Sequence, residues 1–130
     1  MKLALITCHY NWFGFERPRQ NLRRFLESTQ GLPVYGVEAQ LPGHPMQTTG
    51  MPGWQQITAD NDQVMMQKEC LLNIAAAMVP RHFEALAWVD ADILFSNEHW
   101  FDQTARALDF FPVVQPFSKA QWLAHDDSVS

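Results

Sequence analysis

Apolar and polar positions alternate between two periods along this chain. Leu3 to Cys8 is a short, nearly continuous apolar run, the pattern of a strand buried on both faces. A turn-like stretch through Asn11 and Gly14 follows. Pro18 then suits the first turn of a helix whose single apolar stripe is Leu22, Phe25 and Leu26. Gly31 and Pro33 end that helix, and Val34 to Val37 returns to strand, giving a βαβ opening. From Gln40 to Gln56, the residues Pro42, Gly43, Pro45, Gly50, Pro52 and Gly53 interrupt any periodicity and predict one long loop. Loops of that length inside compact domains usually serve function or motion. Gln63 to Val79 predicts a helix with Val64, Leu71, Ala75 and Met78 on one broad face and Gln63, Gln67 and Lys68 on another, closed by Pro80. Ala85 to Phe95 predicts a strand, in which Leu86, Trp88 and Val89 lead into Asp90-Ala91-Asp92-Ile93. Ser96 or Asn97 can cap the next helix, where Glu98 suits the positive end of the dipole. Trp100, Phe101, Ala105 and Leu108 form its buried side. Pro112 stops it, and Val113 to Phe117 predicts a further strand.

Strands separated by helices of this length predict an α/β fold: a mainly parallel, Rossmann-like sheet flanked by helices, with right-handed crossovers. At 130 residues, 47% of them hydrophobic, the chain reads as a single domain spanning residues 1–130. A formal charge of −5 argues against a nucleic-acid surface, which needs a clustered excess of Lys and Arg. Phosphate binding on such a chain calls for a local device such as a metal. Cys8 and Cys70 stand far apart with no ligand spacing around them, so the reading is neither a zinc site nor a disulfide framework, and the setting is a reducing cytoplasm. The opening apolar run stops at Thr7 without a small-residue cleavage site, so it reads as a strand and not a signal peptide. The apolar stretch from Ile74 to Val79 is far below the roughly 20 residues of a membrane helix.

Asp90 and Asp92 are the most informative residues. A spacing of two in a strand points both carboxylates to one side. Two adjacent anions after a buried apolar run are unfavourable unless a cation or hydrogen-bond donors compensate. Mn²⁺ or Mg²⁺ is the natural compensator, because hard divalent ions prefer carboxylate oxygens and complete their shell with substrate phosphates. The pair also lies toward the carboxyl ends of the strands, where open α/β sheets bind ligands. The competing structural reading makes Asp90 a strand-end cap and Asp92 the start of a turn.

The stretch Ala87-Trp88-Val89-Asp90-Ala91-Asp92-Ile93-Leu94-Phe95, followed by Trp100, Leu108 and Val113-Val114-Gln115-Pro116-Phe117, resembles the metal-binding strand of GT-A glycosyltransferases and the segment after it. Leu3-Ala4-Leu5-Ile6-Thr7 resembles that family's first strand, and Lys68-Glu69-Cys70-Leu71-Leu72-Asn73 its helix before the metal strand. The resemblance runs from Leu3 to Phe117, and its specific part is the Asp-x-Asp region. It implies a metal-dependent glycosyltransferase acting on a nucleotide-diphosphate sugar, a UDP-sugar first among the donors, with an acceptor that is not identified. It further implies that Asp90 meets the ribose or the metal and that Asp92 is the firmer metal ligand. Thr7 and Glu38 fall near the base and nucleoside, and Lys68 can approach phosphate as a point charge. Asn73 interrupts an apolar helical stretch, and its buried amide needs a backbone or ligand partner, the nucleotide among them. In that family the acceptor-binding half and the usual base follow the point reached here at Phe117. The chain therefore reads as a nucleotide-binding portion lacking most of the acceptor half.

The remaining groups carry less chemistry. Arg17, Arg19, Arg23 and Arg24 surround an amphipathic helix and read as its wet face. The five histidines are dispersed and show no ligand spacing, so none is assigned a role. The tryptophans read as core and loop packing, with Trp54 able to stack on a base or sugar. Two other functions fit the same pattern: a nucleotidyltransferase of similar architecture, or a non-catalytic binding or assembly module. The first is disfavoured by the absence of a Gly-rich basic loop after the first strand, since Thr7-Cys8-His9-Tyr10-Asn11 is no such loop.

Overall fold

The computed structural model describes residues 1–63 and 67–129. They form two compact units, Lys2–Leu94 and the residues from Phe95 onward together with Met1. The larger unit is built from β1 (Leu3–Tyr10), α1 (Glu16–Ser28), β2 (Val34–Gln40), β3 (Trp54–Thr58), a single 3-10 turn (Asn61–Gln63), α2 (Lys68–Met78) and β4 (Ala85–Trp88). The strands form one sheet in the order β3-β2-β1-β4, with every neighbouring pair parallel. The expected α/β class and parallel sheet are thus present. β1 is interior, with β2 on one side and β4 on the other, which accounts for its continuous apolar run: Leu3, Ala4, Leu5 and Ile6 are all buried.

The pleat sorts β1 and β2 onto two different faces. On one, Ile6, Val37 and Ala39 pack with Leu71, Leu72 and Ala75 of α2 and with Trp12 and Ala59. Each large side chain buried there stabilises the fold by about 1.5–3 kcal/mol. The other face carries Leu5, Thr7 and His9 from β1 and Glu38 and Gln40 from β2, all buried. Right-handed crossovers put α1 on that second face, and Leu22 and Phe25 are its fully buried contribution. Asn11 fixes the entry to α1: its Nδ2 donates to the Phe15 carbonyl at 2.8 Å and its Oδ1 accepts from the Phe15 amide at 3.0 Å. Pro18 then occupies the third helical position, where its missing N–H goes unnoticed.

Four expectations for this unit need correction. The stretch from Gln40 to Gln56 is not all loop: β2 runs to Gln40 and β3 begins at Trp54, leaving residues 41–53 as the connection. Trp-Gln-Gln-Ile-Thr offers no apolar run to betray an edge strand. What fixes it is the Gly36↔Trp54 register, in which the indole lies so close over Gly36 that a Cβ there would come within 2.5 Å of it. The helix expected from Gln63 starts at Lys68, and Val64 of its predicted face lies outside the described residues. Asn73 is exposed on that helix, so its amide meets water and requires no buried partner. Finally, β4 stops at Trp88, where its pairing with β1 ends at Ile6↔Trp88.

In the smaller unit, α3 (Trp100–Ala107) buries Trp100 and Thr104, while Phe101, Ala105 and Leu108 of its expected apolar side are partly covered. Trp100 stacks on Phe95 with ring centroids 3.8 Å apart, and the Thr104 hydroxyl donates to the Trp100 carbonyl at 2.7 Å. Asn97 receives the His99 amide on its Oδ1 at 3.0 Å, one turn before the helix. The strand expected over Val113 to Phe117 is not formed. Pro112 precedes it and Pro116 lies within it, and neither has the N–H group a ladder needs. No helix among the described residues is long and apolar enough to cross a membrane.

Candidate functional site

The strand order locates a crevice. The chain steps from β1 outward to β2 and β3, then crosses back over β1 to place β4 on its far side. The β1–β2 and β3–β4 crossovers therefore run in opposite directions across the sheet. Such a reversal is where open α/β sheets bind ligands. β4 leaves the sheet after the Val89 amide bonds the Ile6 carbonyl at 3.2 Å, whereas β1 continues to Tyr10. The gap so formed is a pocket of about 310 Å³ lined by Cys8, His9 and Tyr10 at the end of β1, Pro18 and Asn21 on α1, Lys68 at the start of α2, and Asp90, Ala91 and Asp92 after β4.

Asp90 and Asp92 do line one site, but not through strand alternation. They stand in a turn closed by the Ile93 amide on the Asp90 carbonyl at 3.2 Å. Asp90 Oδ1 pairs with Lys68 Nζ at 2.5 Å, with both side chains partly exposed. That hydrogen bond, with the carboxylate's charge behind it, holds the Lys68 ammonium above its ordinary range. Asp92 is exposed and forms no ion pair among the described residues. The compensating cation that two adjacent carboxylates demand is thus partly supplied by the protein itself.

His9 was not singled out by spacing, yet it lines the pocket. It is 8% exposed and its Nε2 has no hydrogen-bond partner. Burial pushes its pKa below the usual histidine range, against the pull of Glu38 and Asp92, so the ring is neutral at pH 7. Cys8 is held as a thiol: burial raises it to about 11, and its Sγ points to the Lys68 carbonyl at 3.8 Å. The signal that would have found His9 is its place two residues after Thr7 on a strand otherwise apolar, at the carboxyl end of an interior strand.

Three expected residues lie elsewhere. Thr7 is not at the end of β1 but inside it, fully buried and outside the pocket lining, with its hydroxyl unpartnered. Glu38 is fully buried and away from the pocket lining. Its carboxylate accepts the Gln47 amide at 2.9 and 3.0 Å, the Thr48 amide at 2.9 Å and the Thr48 hydroxyl at 2.8 Å. It anchors the 41–53 connection, which explains how a Pro- and Gly-rich segment holds one path. Asn73 is on the exposed side of α2 and does not line the pocket.

No family model matches this chain, and no curated protein or solved structure matches it either. The chemistry therefore rests on the crevice itself. Among the described residues, no group of three or more His, Cys, Asp or Glu side chains could hold a metal ion by itself. Mg²⁺ and ions like it are commonly bound through one or two carboxylates, with substrate phosphates and water filling the remaining positions. Two hard oxygen donors, Asp90 and Asp92, beside a lysine suit an ion that arrives with phosphate better than a resident metal centre.

Proposed function

We propose that this chain binds a nucleotide-diphosphate sugar in the β1–β4 crevice, and that it is the donor-binding portion of a metal-dependent glycosyltransferase of GT-A type. The observation that carries the reading is the meeting of Asp90, Asp92 and Lys68 in one pocket at the sheet's reversal point. Asp92 and Asp90 are the residues to hold Mn²⁺ or Mg²⁺, and Lys68 is the residue to meet a phosphate oxygen as a point charge. When bound, the ion supplies charge neutralisation to the departing diphosphate. The neutral His9 ring and the Cys8 thiol add no anion to repel it. Tyr10 and Pro18 give the pocket an apolar wall, and Asn21 an amide able to hydrogen-bond a hydroxyl. Glu38, Asn73 and Thr7 are left out of the donor set. No general base is assigned, since among the described residues Asp90 and Asp92 are the only carboxylates in the lining and both are used for binding.

The test is calorimetric titration of UDP and of GDP into the purified chain, with and without Mn²⁺, repeated on Asp92→Ala. Saturable binding that requires both the ion and Asp92 is the expected result, with UDP preferred. A folded chain that binds neither nucleotide would overturn the donor-site reading and favour an assembly module.

A further inference from the structure

The crevice contains two carboxylates and one cation. Lys68 pairs with Asp90, while Asp92 stands outside any ion pair among the described residues. Cys8 is a protonated thiol and His9 a neutral ring, so the lining residues sum to one net negative charge near neutral pH. A diphosphate arriving alone meets that negative field. A divalent ion arriving alone finds Asp92 available but Asp90 already engaged. Only when both arrive does every charge find an opposite partner.

Resting on the donor-site reading above, we propose that Lys68 is a placeholder cation: it holds Asp90 in the free protein and passes to a phosphate oxygen when a divalent ion takes Asp90, so metal and nucleotide bind as a coupled pair. The pair is suited to exchange. Its two side chains are 31% and 46% exposed, and ion pairs in that setting are weak and readily replaced. Lysine carries its charge on a flexible four-carbon stem, so the ammonium can move between acceptors without moving the helix. The base of that stem is tethered, because the Lys68 carbonyl accepts the Cys8 thiol of β1 and the α2 ladder starts one residue earlier, with the Leu71 amide on the Gln67 carbonyl at 3.0 Å.

Exchange predicts effects of opposite sign from one substitution. Calorimetry with Mn²⁺ alone, UDP alone, and UDP at saturating Mn²⁺ is run on the wild type, Lys68→Gln and Lys68→Ala, each first shown to be folded by its thermal melt. In the wild type, Mn²⁺ should tighten UDP by about ten-fold or more, and by reciprocity UDP should tighten Mn²⁺ equally. Removing Lys68 frees Asp90, so both variants should bind Mn²⁺ alone about two- to five-fold more tightly. The same variants should bind UDP with Mn²⁺ several-fold more weakly, because the phosphate loses its ammonium. If wild type binds the metal–UDP pair but both variants weaken or leave unchanged their hold on Mn²⁺ alone, the exchange is refuted while the donor-site reading stands. If folded wild type binds no nucleotide in any condition, the donor-site reading fails and the exchange fails with it.

Discussion

Replacing Glu38 by alanine should destabilise the larger unit severely, although Glu38 itself does not line the crevice. Three donors terminate on this fully buried carboxylate: the amides of Gln47 and Thr48 and the Thr48 hydroxyl, at 2.8 to 3.0 Å. Hydrogen bonds to a charged group contribute about 1.5–3 kcal/mol each, and each buried donor left unsatisfied costs about 1–3 kcal/mol. The three share one acceptor and do not add, and water entering the vacated volume restores part of the loss. A net cost of about 3–5 kcal/mol follows, a large share of the 5–15 kcal/mol typical of a whole domain. Glu38→Gln can keep a carbonyl oxygen at the Oε1 position, which accepts from all three donors, and turns its NH₂ only toward the Gln47 amide, so it should cost less, about 1–2 kcal/mol. Urea denaturation followed by tryptophan fluorescence reads both values, and limited proteolysis should find residues 41–53 cleaved first in the variants. A Glu38→Ala variant within about 1 kcal/mol of wild type would refute the anchoring role. If that unchanged stability came with lost UDP affinity, Glu38 would belong to the nucleoside site after all.

Two further outcomes follow from burial near the crevice. His9 is pushed below 6.5 by burial, so the folded chain binds fewer protons than the unfolded one; the stability present above pH 6.5 is lost as pH falls through 6.5 toward the lowered value. The thermal midpoint should therefore drop between about pH 7 and pH 5.5 in wild type and drop less in His9→Asn; parallel curves would sink the assignment. Cys8, raised from 9.0 to about 11, should react with iodoacetamide at pH 8 about 100-fold more slowly than an ordinary thiol, while the exposed Cys70 is modified first. Equal rates by mass spectrometry in the folded chain would show that the Cys8 thiol is not held as described.

The elements that could be read from sequence are those whose packing leaves a period behind. β1 is interior and apolar on both faces until Thr7, and Leu22 with Phe25 marks the buried stripe of α1. β3 could not be read, because it is an edge strand of mixed composition whose ladder to β2 begins with a tertiary fit, Trp54 over Gly36. Val113 to Phe117 failed in the opposite sense. It has strand composition, but a strand exists only with a neighbour to pair, and composition carries no information about neighbours. The anchor role of Glu38 was hidden for a similar reason, since its partners lie nine and ten residues ahead in a segment with no pattern.

The Asp-x-Asp pair shares one pocket through a geometry other than the expected one. Strand alternation put both carboxylates on one face of β4, yet β4 ends at Trp88 and the two residues occupy a turn. They line the same pocket because the chain must leave the sheet where its partner strand and its crossover diverge. A polar pair is tolerable there for that very reason, since the backbone has quit the apolar ladder and the side chains reach water. The same argument accounts for Lys68 and His9. Lys68 begins the helix whose return to β4 creates the reversal, and His9 sits on the part of β1 that β4 no longer covers. Charge in this fold is therefore concentrated where topology opens the sheet. A substitution that lengthened β4 along β1 past Ile6, closing that gap, should abolish the UDP binding proposed for the crevice, read by the same calorimetric titration, without removing any of the charged residues; undiminished binding would show that the gap is not the site.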